Sequence, residues 1–323
     1  TGTRLRDLLI ERARAGVTVR FLYDGIGSMW LTRSFLKPMR DAGIRVAAFM
    51  PWKRFRFWSL NLRNHRKIVI VDGLTGFTGG MNIGDEYIGR NPALGYWRDT
   101  HLKLAGPTVL QLQQIFVEDW YYATGEELTQ PDVFPPPDES GHVVAQVLAG
   151  EPAAEVQAFH SLMYAAINEA QKLVLIETSY FIPTEPLFTA LETAALRGVR
   201  VRLLLPGRGP YPWTIFAGRS YYRELLEAGV EIYEYHRGLL HSKVLMIDGD
   251  WALVGTPNFD ARSLMLNFEC GVAIYDARVA GQIAVAFEDD LEHTERITLD
   301  AWRDRPVWRE LAENTCRLFA PIM

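Results

Sequence analysis

One motif occurs twice in this chain and constrains its fold more than any other feature. Five residue types recur with unchanged spacing, and the second copy lies 176 positions after the first. The two copies consist of His65, Lys67, Asp72, Gly79 and Asn82, and of His241, Lys243, Asp248, Gly255 and Asn258. Repetition of five positions without a gap indicates an internal duplication. The chain is therefore expected to fold as two similar halves.

The second copy opens a stretch with the composition of a buried strand. Residues 244–247 are apolar at successive positions, so both faces of the strand are apolar, which is typical of the middle of a sheet. In a strand, His241 and Lys243 would point to the same face. Such a pair is costly to desolvate without an anionic partner. A single histidine in this setting would more often be a hydrogen-bonded core residue, but its duplication favours an anion-binding site.

The repeated form H-x-K-x4-D-x6-G-(G/T)-x-N resembles the phospholipase D superfamily. The stretches NHRKIVIVDGLTGFTGGMNIGDEY, YWRDTHLKLAGPTV, GTPNFDARSLMLNFE and RLFAPIM are most similar to bacterial cardiolipin synthases, and the likeness covers nearly the whole chain. The resemblance implies an α/β protein of two duplicated phospholipase D-like α-β-α sandwich domains. It places the active site at their pseudo-twofold interface, without a metal or a cofactor.

The resemblance also implies roles for the repeated residues. One neutral histidine would attack phosphorus and form a phosphohistidine, while the other gives a proton to the departing alcohol. Spacing leaves open which histidine attacks, and the resemblance favours His65 over His241. The remaining substrate contacts are expected from two lysines, two asparagines and the residues after the repeated glycines: Lys67, Lys243, Asn82, Asn258, Gly80 and Thr256.

Four acidic residues are candidates for a supporting part in the reaction. An attacking imidazole is usually oriented by a carboxylate on its other nitrogen. Glu269 follows His241 by 28 positions at the start of a predicted strand, and Asp99 has the corresponding place in the first half. Either could instead be a surface acid at a strand start. Asp72 and Asp248 open turns, which an Asx-turn alone would explain, whereas the resemblance suggests a supporting role in the site.

Helices and strands alternate along both halves, which favours an α/β fold. Residues 125–141 contain four prolines and five acidic residues, the composition of a linker. We therefore predict domains at residues 1–138 and 139–323. A strand predicted at residues 173–180 has no counterpart in the first half. The first domain is accordingly expected to be truncated at its start, with the membrane-spanning helices of the resembled family lying upstream.

An aromatic and basic stretch immediately precedes the first motif. It is predicted to lie at a membrane interface, with aromatic rings at headgroup depth and cations on lipid phosphates. A solvated loop with packed rings is the alternative. The predicted interfacial residues are Trp52, Lys53, Arg54, Phe55, Arg56, Phe57 and Trp58.

Composition narrows the possible functions. The net charge of −5 argues against nucleic acid as a partner. No window approaches the roughly 18 uncharged apolar residues of a membrane span. We predict a cardiolipin synthase-like phosphatidyltransferase that joins two phosphatidylglycerol molecules into cardiolipin and glycerol. Its expected partners are phosphatidylglycerol and an anionic membrane surface, and its expected location is the bacterial cytoplasmic membrane, held there by upstream segments or peripherally.

Three other functions compete with this prediction. A hydrolytic phospholipase D would share the first half-reaction and release phosphatidic acid. A nucleic-acid phosphodiesterase is disfavoured by the acidic balance, and a catalytically dead lipid-binding scaffold by the intact duplicate motifs. The sequence does not separate transfer from hydrolysis, because that choice depends on acceptor affinity and water exclusion, and it leaves the oligomeric state open.

Overall fold

The protein is described by a computed structural model over residues 1–50, 62–92, 94–137, 141–152 and 154–319. The predicted interfacial residues, Trp52, Lys53, Arg54, Phe55, Arg56, Phe57 and Trp58, lie outside the described residues.

The first half alternates helices with short strands, and the sequence explains several of the boundaries. Helix α2, for example, begins after Thr32, whose hydroxyl accepts a hydrogen bond from the Phe35 amide at 3.2 Å. The elements are α1 Gly2–Arg14, β1 Arg20–Asp24, α2 Arg33–Asp41, β2 Arg45–Phe49, β3 Arg63–Asn64, β4 Ile68–Val71, β5 Thr75–Gly79, a 3-10 turn Glu86–Ile88, β6 Tyr96–Arg98, β7 His101–Ala105 and α3 Thr108–Thr124.

The second half follows a similar order of elements. The elements are β8 Val144–Gly150, α4 Ala158–Glu169, β9 Leu173–Glu177, β10 Phe181–Ile182, α5 Glu185–Leu196, β11 Arg200–Pro206, α6 Pro212–Arg219, α7 Tyr222–Glu227, β12 Glu231–Tyr235, β13 Gly238–Leu240, β14 Val244–Ile247, β15 Trp251–Gly255, β16 Phe259–Asp260, α8 Ala261–Met265, β17 Asn267–Tyr275, α9 Ala277–Leu291, β18 Thr294–Ile297, α10 Leu299–Arg303 and α11 Val307–Leu318.

The second half is built on a mixed sheet in the order β18-β12-β11-β9-β14-β15-β17, with β8 also paired to β17. The strands at its centre are apolar on both faces, so helices cover both sides. Phe159 of α4 and Leu187 of α5 pack on one face, and Phe287 of α9 packs on the other. This layering confirms the predicted α-β-α sandwich.

The first half uses the same strand order in smaller sheets. Strands β4-β5-β7 pair antiparallel, as β14-β15-β17 do, and β1 pairs with β2 in parallel, as β11 does with β12. In the second half, β9 joins the two groups by pairing with both β11 and β14. No strand occupies the corresponding place among the described residues of the first half.

Two short parallel strand pairs connect the halves, and they are equivalent under the duplication. Strand β3 pairs with the start of β17, and β13 pairs with β6. At the end of each pair, the histidine amide donates to a carbonyl of the other half. His65 N lies 2.9 Å from Phe268 O, and His241 N lies 2.7 Å from Arg98 O. These four strands determine where the two motifs meet.

A predicted boundary differs from the structure. His241 and Lys243 precede β14 rather than lying within it, because β13 ends at Leu240 to pair with β6. Helix α6 begins with Pro212 at its first position, where the missing amide hydrogen costs nothing. None of the described helices has both the length and the apolar composition required to cross a membrane.

Candidate active site

The structure brings each motif histidine onto a carboxylate of the other half. His65 Nδ1 lies 3.0 and 2.9 Å from Oε1 and Oε2 of Glu269. His241 Nδ1 lies 2.8 Å from Oδ2 of Asp99. Both Nδ1 atoms are therefore occupied, and Nε2 is the nitrogen left to react in each ring.

The crossed pairing follows from the strand register. Phe268 and Arg98 accept the backbone hydrogen bonds of His65 and His241, and the next residue in each case is the carboxylate, Glu269 or Asp99. Each two-stranded connection thus delivers one histidine and one acid to the same point. Each histidine–carboxylate pair therefore takes its carboxylate from one half and its imidazole from the other.

Each lysine folds back on the backbone of its own histidine. Lys67 Nζ donates to His65 O at 2.6 Å, and Lys243 Nζ donates to His241 O at the same distance. Lys243 also donates to Ser179 Oγ at 2.6 Å. Burial lowers the pKa of Lys67 to about 8 and that of Lys243 to about 7, with Asp99 and Glu269 opposing this. Two desolvated ammonium groups beside two histidines form a site for an anion.

Burial also lowers the pKa values of both histidines in the free protein. It lowers the pKa of His65, against the opposing charge of Glu269. It lowers the pKa of His241 to about 3, with a further contribution from the charge of Lys243. Both imidazoles are therefore neutral near pH 7, the form required for attack on phosphorus. A bound anion would raise both pKa values, because negative charge favours the imidazolium.

Further donors hold the two carboxylates in their ionised form. The Thr256 hydroxyl and Asn267 Nδ2, the latter at 3.1 Å, donate to Glu269. The Thr100 amide at 2.9 Å and Trp97 Nε1 at 3.3 Å donate to Asp99. Burial alone would raise the pKa values of both acids, but the nearby histidine and lysine and these hydrogen bonds keep them below the usual range.

Thr256 and Gly80, both predicted to bind substrate, lie beside the two orienting carboxylates, and their contact with substrate stays a prediction. Thr256 is 0% exposed, and its hydroxyl both donates to Glu269 and accepts from the Cys270 amide at 2.9 Å. The Gly80 amide donates to Thr100 O at 3.1 Å. A Cβ at Gly80 would lie 2.0 Å from Oδ1 of Asp99. Thr256 thus supports the carboxylate of Glu269, and Gly80 leaves room for the carboxylate of Asp99.

The contacts of Asp72 and Asp248 favour the turn-forming alternative over the supporting role in the reaction that the resemblance suggested. Asp248 lies past the far end of β14 from Lys243, roughly 16 Å away at about 3.3 Å per residue. Its carboxylate accepts from the backbone amides of residues 171–173 at 2.8–2.9 Å. Asp72 has the same place after β4 and is exposed. Both adopt positive φ, 56° and 52°, so they make the turns between paired strands.

The two motif asparagines lie in different surroundings. Asn82 is exposed and donates to the Tyr87 hydroxyl at 2.7 Å. Asn258 is buried; its Nδ2 donates to Ser263 Oγ at 3.3 Å, and its Oδ1 has no hydrogen-bond partner among the described residues. Their contact with substrate stays a prediction. Within the described ranges, no group of three or more His, Cys, Asp or Glu side chains is arranged to hold a metal ion.

Two buried arginines beside the motifs were not predicted. Arg66 pairs with Asp119 at 2.6 Å and donates to the Glu269 carbonyl at 3.1 Å. Arg98 pairs with Asp290 at 2.5 Å and donates to the Asp99 carbonyl at 2.7 Å. Each therefore fixes the backbone of one orienting carboxylate. Their positions next to His65 and Asp99 were the only sequence signal.

A cavity of about 460 Å³ opens beside His241. The 3-10 turn and strand β6 contribute one wall, through Tyr87 and Trp97, and second-half segments contribute Tyr180, Tyr211 and Leu239. The His241 ring lies 4.9 Å from that of Trp97 and 5.9 Å from that of Tyr87. His65 is not among the residues that line this cavity.

The sequence of this chain is similar to those of two bacterial cardiolipin synthases. Cardiolipin synthase of Geobacillus kaustophilus (strain HTA426) is 44% identical over 326 residues, covering 100% of this chain and 65% of that protein. Cardiolipin synthase 2 of Bacillus anthracis is 44% identical over 326 residues, covering 100% of this chain and 63% of that protein. This chain thus spans a little less than two thirds of each relative.

A solved structure has a fold similar to that of this chain. The crystal structure of phosphatidylserine synthase from Haemophilus influenzae Rd KW20 matches with a TM-score of 0.67 at 15% identity, covering 99% of this chain and 92% of that one, a likeness of fold. The family model described as "Cardiolipin synthase, PLD-like domain" matches residues 1–120 and 163–291, each of which contains one copy of the motif. The chain belongs to this family of phospholipase D-like cardiolipin synthase domains.

Proposed function

We propose that this chain is a phosphatidyltransferase that makes cardiolipin. It would transfer the phosphatidyl group of one phosphatidylglycerol to the headgroup hydroxyl of a second and release glycerol. The observation that carries this proposal is the crossed arrangement of His65–Glu269 and His241–Asp99 around the two motif lysines. The relatives named cardiolipin synthase support the choice of substrate.

In the first step, Nε2 of one neutral histidine attacks phosphorus, and the bond from phosphorus to the glycerol oxygen breaks. The other histidine, protonated once the anion is bound, gives its proton to that oxygen. Lys67 and Lys243 neutralise the non-bridging oxygens as charge develops. The product is a phosphatidyl-histidine, free glycerol and a neutral second imidazole.

In the second step, the second histidine takes the proton of the acceptor hydroxyl, whose oxygen attacks phosphorus. The P–N bond breaks, which returns the first histidine to its neutral form. The departing and entering alcohols therefore meet the same histidine. The cavity beside His241 favours His241 for this acid–base role and leaves His65 as the nucleophile.

The lipid must reach this site from a surface, and we propose an anionic bilayer, with the bacterial cytoplasmic membrane as its location. Two segments next to the site carry exposed apolar side chains. Met29 and Trp30, 61% and 88% exposed, follow β1, whose Asp24 accepts from the Asn64 amide at 2.8 Å. Met81 and Ile83 follow Gly80 and are 41% and 54% exposed. Such side chains fit insertion at headgroup depth.

The test of the activity is direct. The protein is incubated with phosphatidylglycerol vesicles, and the lipids and free glycerol are measured. Cardiolipin and glycerol in equal amounts are expected. Phosphatidic acid as the main lipid product would favour the hydrolytic alternative, and unchanged lipid would contradict both.

The membrane surface needs a separate test. Trp30→Ser should weaken binding to phosphatidylglycerol vesicles in sedimentation, because it removes an exposed indole from the contact. Val285→Ser is the matched control, since Val285 is 62% exposed on α9, which packs against second-half strands. Equal binding of both variants would contradict the proposed surface.

A further inference from the structure

We propose that the cavity beside His241 is a polyol-binding site, in which the Tyr180 hydroxyl recognises a second hydroxyl of the glycerol headgroup. This inference rests on the proposed function and adds the means by which the acceptor is chosen. It concerns the alcohol rather than the phosphate, which the two lysines would hold.

The cavity has the size and walls of a small-molecule site. Its volume of about 460 Å³ falls within the range of about 300–1,000 Å³ typical of ligand pockets. Trp97, Leu239 and Ile215 supply apolar surface for the C–H faces of a carbon chain. Both halves of the chain contribute to the walls, as they do to the catalytic pairs.

Hydroxyl groups are concentrated on the same walls. Tyr87, Tyr180, Tyr211 and Ser179 all line the cavity. Tyr87 accepts from Asn82, and Ser179 accepts from Lys243, so each keeps its own proton to donate. The Tyr180 hydroxyl has no hydrogen-bond partner in the part of the chain that is described.

The surroundings keep Tyr180 protonated. Burial raises its pKa, and the nearby Tyr211, Asp260 and Tyr87 raise it further. Its hydroxyl is therefore both donor and acceptor at any pH at which the protein works. The partly buried Tyr180 hydroxyl faces the cavity and can exchange a hydrogen bond with the second hydroxyl of a diol, which a simple alkyl alcohol does not offer.

The reaction requires one site to bind an alcohol in both steps. Glycerol leaves in the first step, and the glycerol headgroup of the acceptor enters in the second, each with its reacting oxygen at His241. Both therefore present a neighbouring hydroxyl at the same distance from the reacting oxygen. One set of cavity hydroxyls can bind both, which would favour glycerol over water and over alcohols that lack the second hydroxyl.

Headgroup exchange measures this preference. Phosphatidylglycerol vesicles are incubated with labelled glycerol or with ethanol, and kcat/KM for each alcohol is taken from the labelled phosphatidylglycerol or phosphatidylethanol formed. For Tyr180→Phe we expect kcat/KM for glycerol to fall about three- to tenfold, mostly through KM. The value of kcat/KM for ethanol should fall less than the value for glycerol. Tyr164→Phe is the matched control, because Tyr164 is exposed on α4 and does not line the cavity.

A second variant tests the cavity itself. A Cβ at Gly209 would meet Ile215 and Leu239, both lining residues, at 3.5 and 3.8 Å, which are ordinary contacts. Gly209→Leu therefore adds a side chain inside the cavity without a backbone clash. We expect it to lower glycerol exchange and to raise the share of phosphatidic acid, since water still reaches phosphorus.

The outcomes separate this inference from the function on which it rests. A selective loss for glycerol in Tyr180→Phe, with more hydrolysis in Gly209→Leu, supports it. Exchange in the wild type with an unaltered preference between glycerol and ethanol in both variants overturns the polyol site alone. Absence of any exchange in the wild type overturns the transferase function and this inference with it.

Discussion

The two halves of the molecule build the same catalytic pair with different side chains. Glu269 is 0% exposed beside His65, whose side chain is 26% exposed, whereas Asp99 is 4% exposed beside His241, which is 12% exposed. A threonine supports the longer acid, and a glycine leaves space for the shorter one.

The difference extends beyond the acids. Lys243 has Ser179 as a partner and a cavity nearby, and these features belong to the side of His241. A symmetric backbone has thus acquired unequal surroundings, which allows two identical imidazoles to take different roles. The following predictions test that division of labour.

The histidines should show the largest effect. His65→Ala and His241→Ala should each lower turnover more than about 10³-fold, because each removes a group that makes or breaks a bond to phosphorus. The division of labour predicts that phosphatidylglycerol labelled at phosphorus leaves a covalent label on His65 in His241→Asn protein. A label on His241 in His65→Asn protein would reverse the assignment.

The orienting carboxylates should come next. Glu269→Gln and Asp99→Asn should each cost about 10²–10⁴-fold in kcat, since an amide no longer holds the correct imidazole tautomer. In rapid-quench experiments, Glu269→Gln should slow formation of the covalent intermediate, whereas Asp99→Asn should slow both its formation and its breakdown. Identical kinetic profiles for the two variants would argue that the halves are equivalent.

The residues behind the carboxylates should separate the halves further. Gly80→Ala forces a methyl group onto Asp99 and should lower kcat by about 100-fold or more. Thr256→Val keeps the shape but removes a hydrogen bond to Glu269, for which about 10- to 100-fold is expected. Steady-state kinetics with circular dichroism as a folding check would measure both. A smaller loss of kcat in Gly80→Ala than in Thr256→Val would contradict the close packing of Gly80 on Asp99.

The lysines predict a pH dependence of moderate size. With pKa values of about 8 for Lys67 and about 7 for Lys243 in the free protein, both lose their protons as pH rises past these values. kcat/KM should therefore begin to fall above about pH 7, where Lys243 loses its proton, by up to about tenfold per pH unit, and more steeply above about pH 8, where Lys67 follows. Because bound phosphate raises both pKa values, kcat should fall less. A flat kcat/KM profile from pH 7 to 9.5 would show that the ammonium charge is not needed for binding.

The turn aspartates should affect stability and leave activity near the wild-type value. Asp248→Asn should lower the free energy of unfolding by about 1–2 kcal/mol, whereas exposed Asp72→Asn should change it by less than about 0.5 kcal/mol. The backbone hydrogen bonds lower the pKa of Asp248, so this stabilisation is present above its ordinary pKa and is lost as pH falls below it. Urea denaturation at pH 7 and pH 3 would measure the difference. A loss of turnover in Asp248→Asn would show that the Asp248 carboxylate supports the reaction.

The sequence was sufficient for the features that depend on local pattern. The repeat located both histidines and lysines, and the apolar run identified the strand at residues 244–247. Helix and strand alternation predicted the α-β-α sandwich, which the structure and the family match confirm.

The crossed pairs could not be predicted in the same way. They depend on β3 and β6, of two and three residues, which are too short to show any periodicity. The spacing within the motif does not tell which end of a strand faces the substrate, so it did not predict that Asp248 lies past the far end of β14 from Lys243. The cavity is assembled from four separate segments, and the contacts of Arg66 and Arg98 likewise arise only in the folded chain.

The crossed strand pairs also bear on how the protein is made. His65 and Glu269 are 204 residues apart, and His241 and Asp99 are 142 residues apart. Synthesis from the amino terminus exposes the first motif long before its acid exists. An imidazole without that acid is not held in the reactive tautomer, so a nascent chain on the ribosome would carry no working nucleophile. Activity would begin only when the second half has folded against the first, which makes the onset of lipid chemistry a signal that the chain is complete past Glu269.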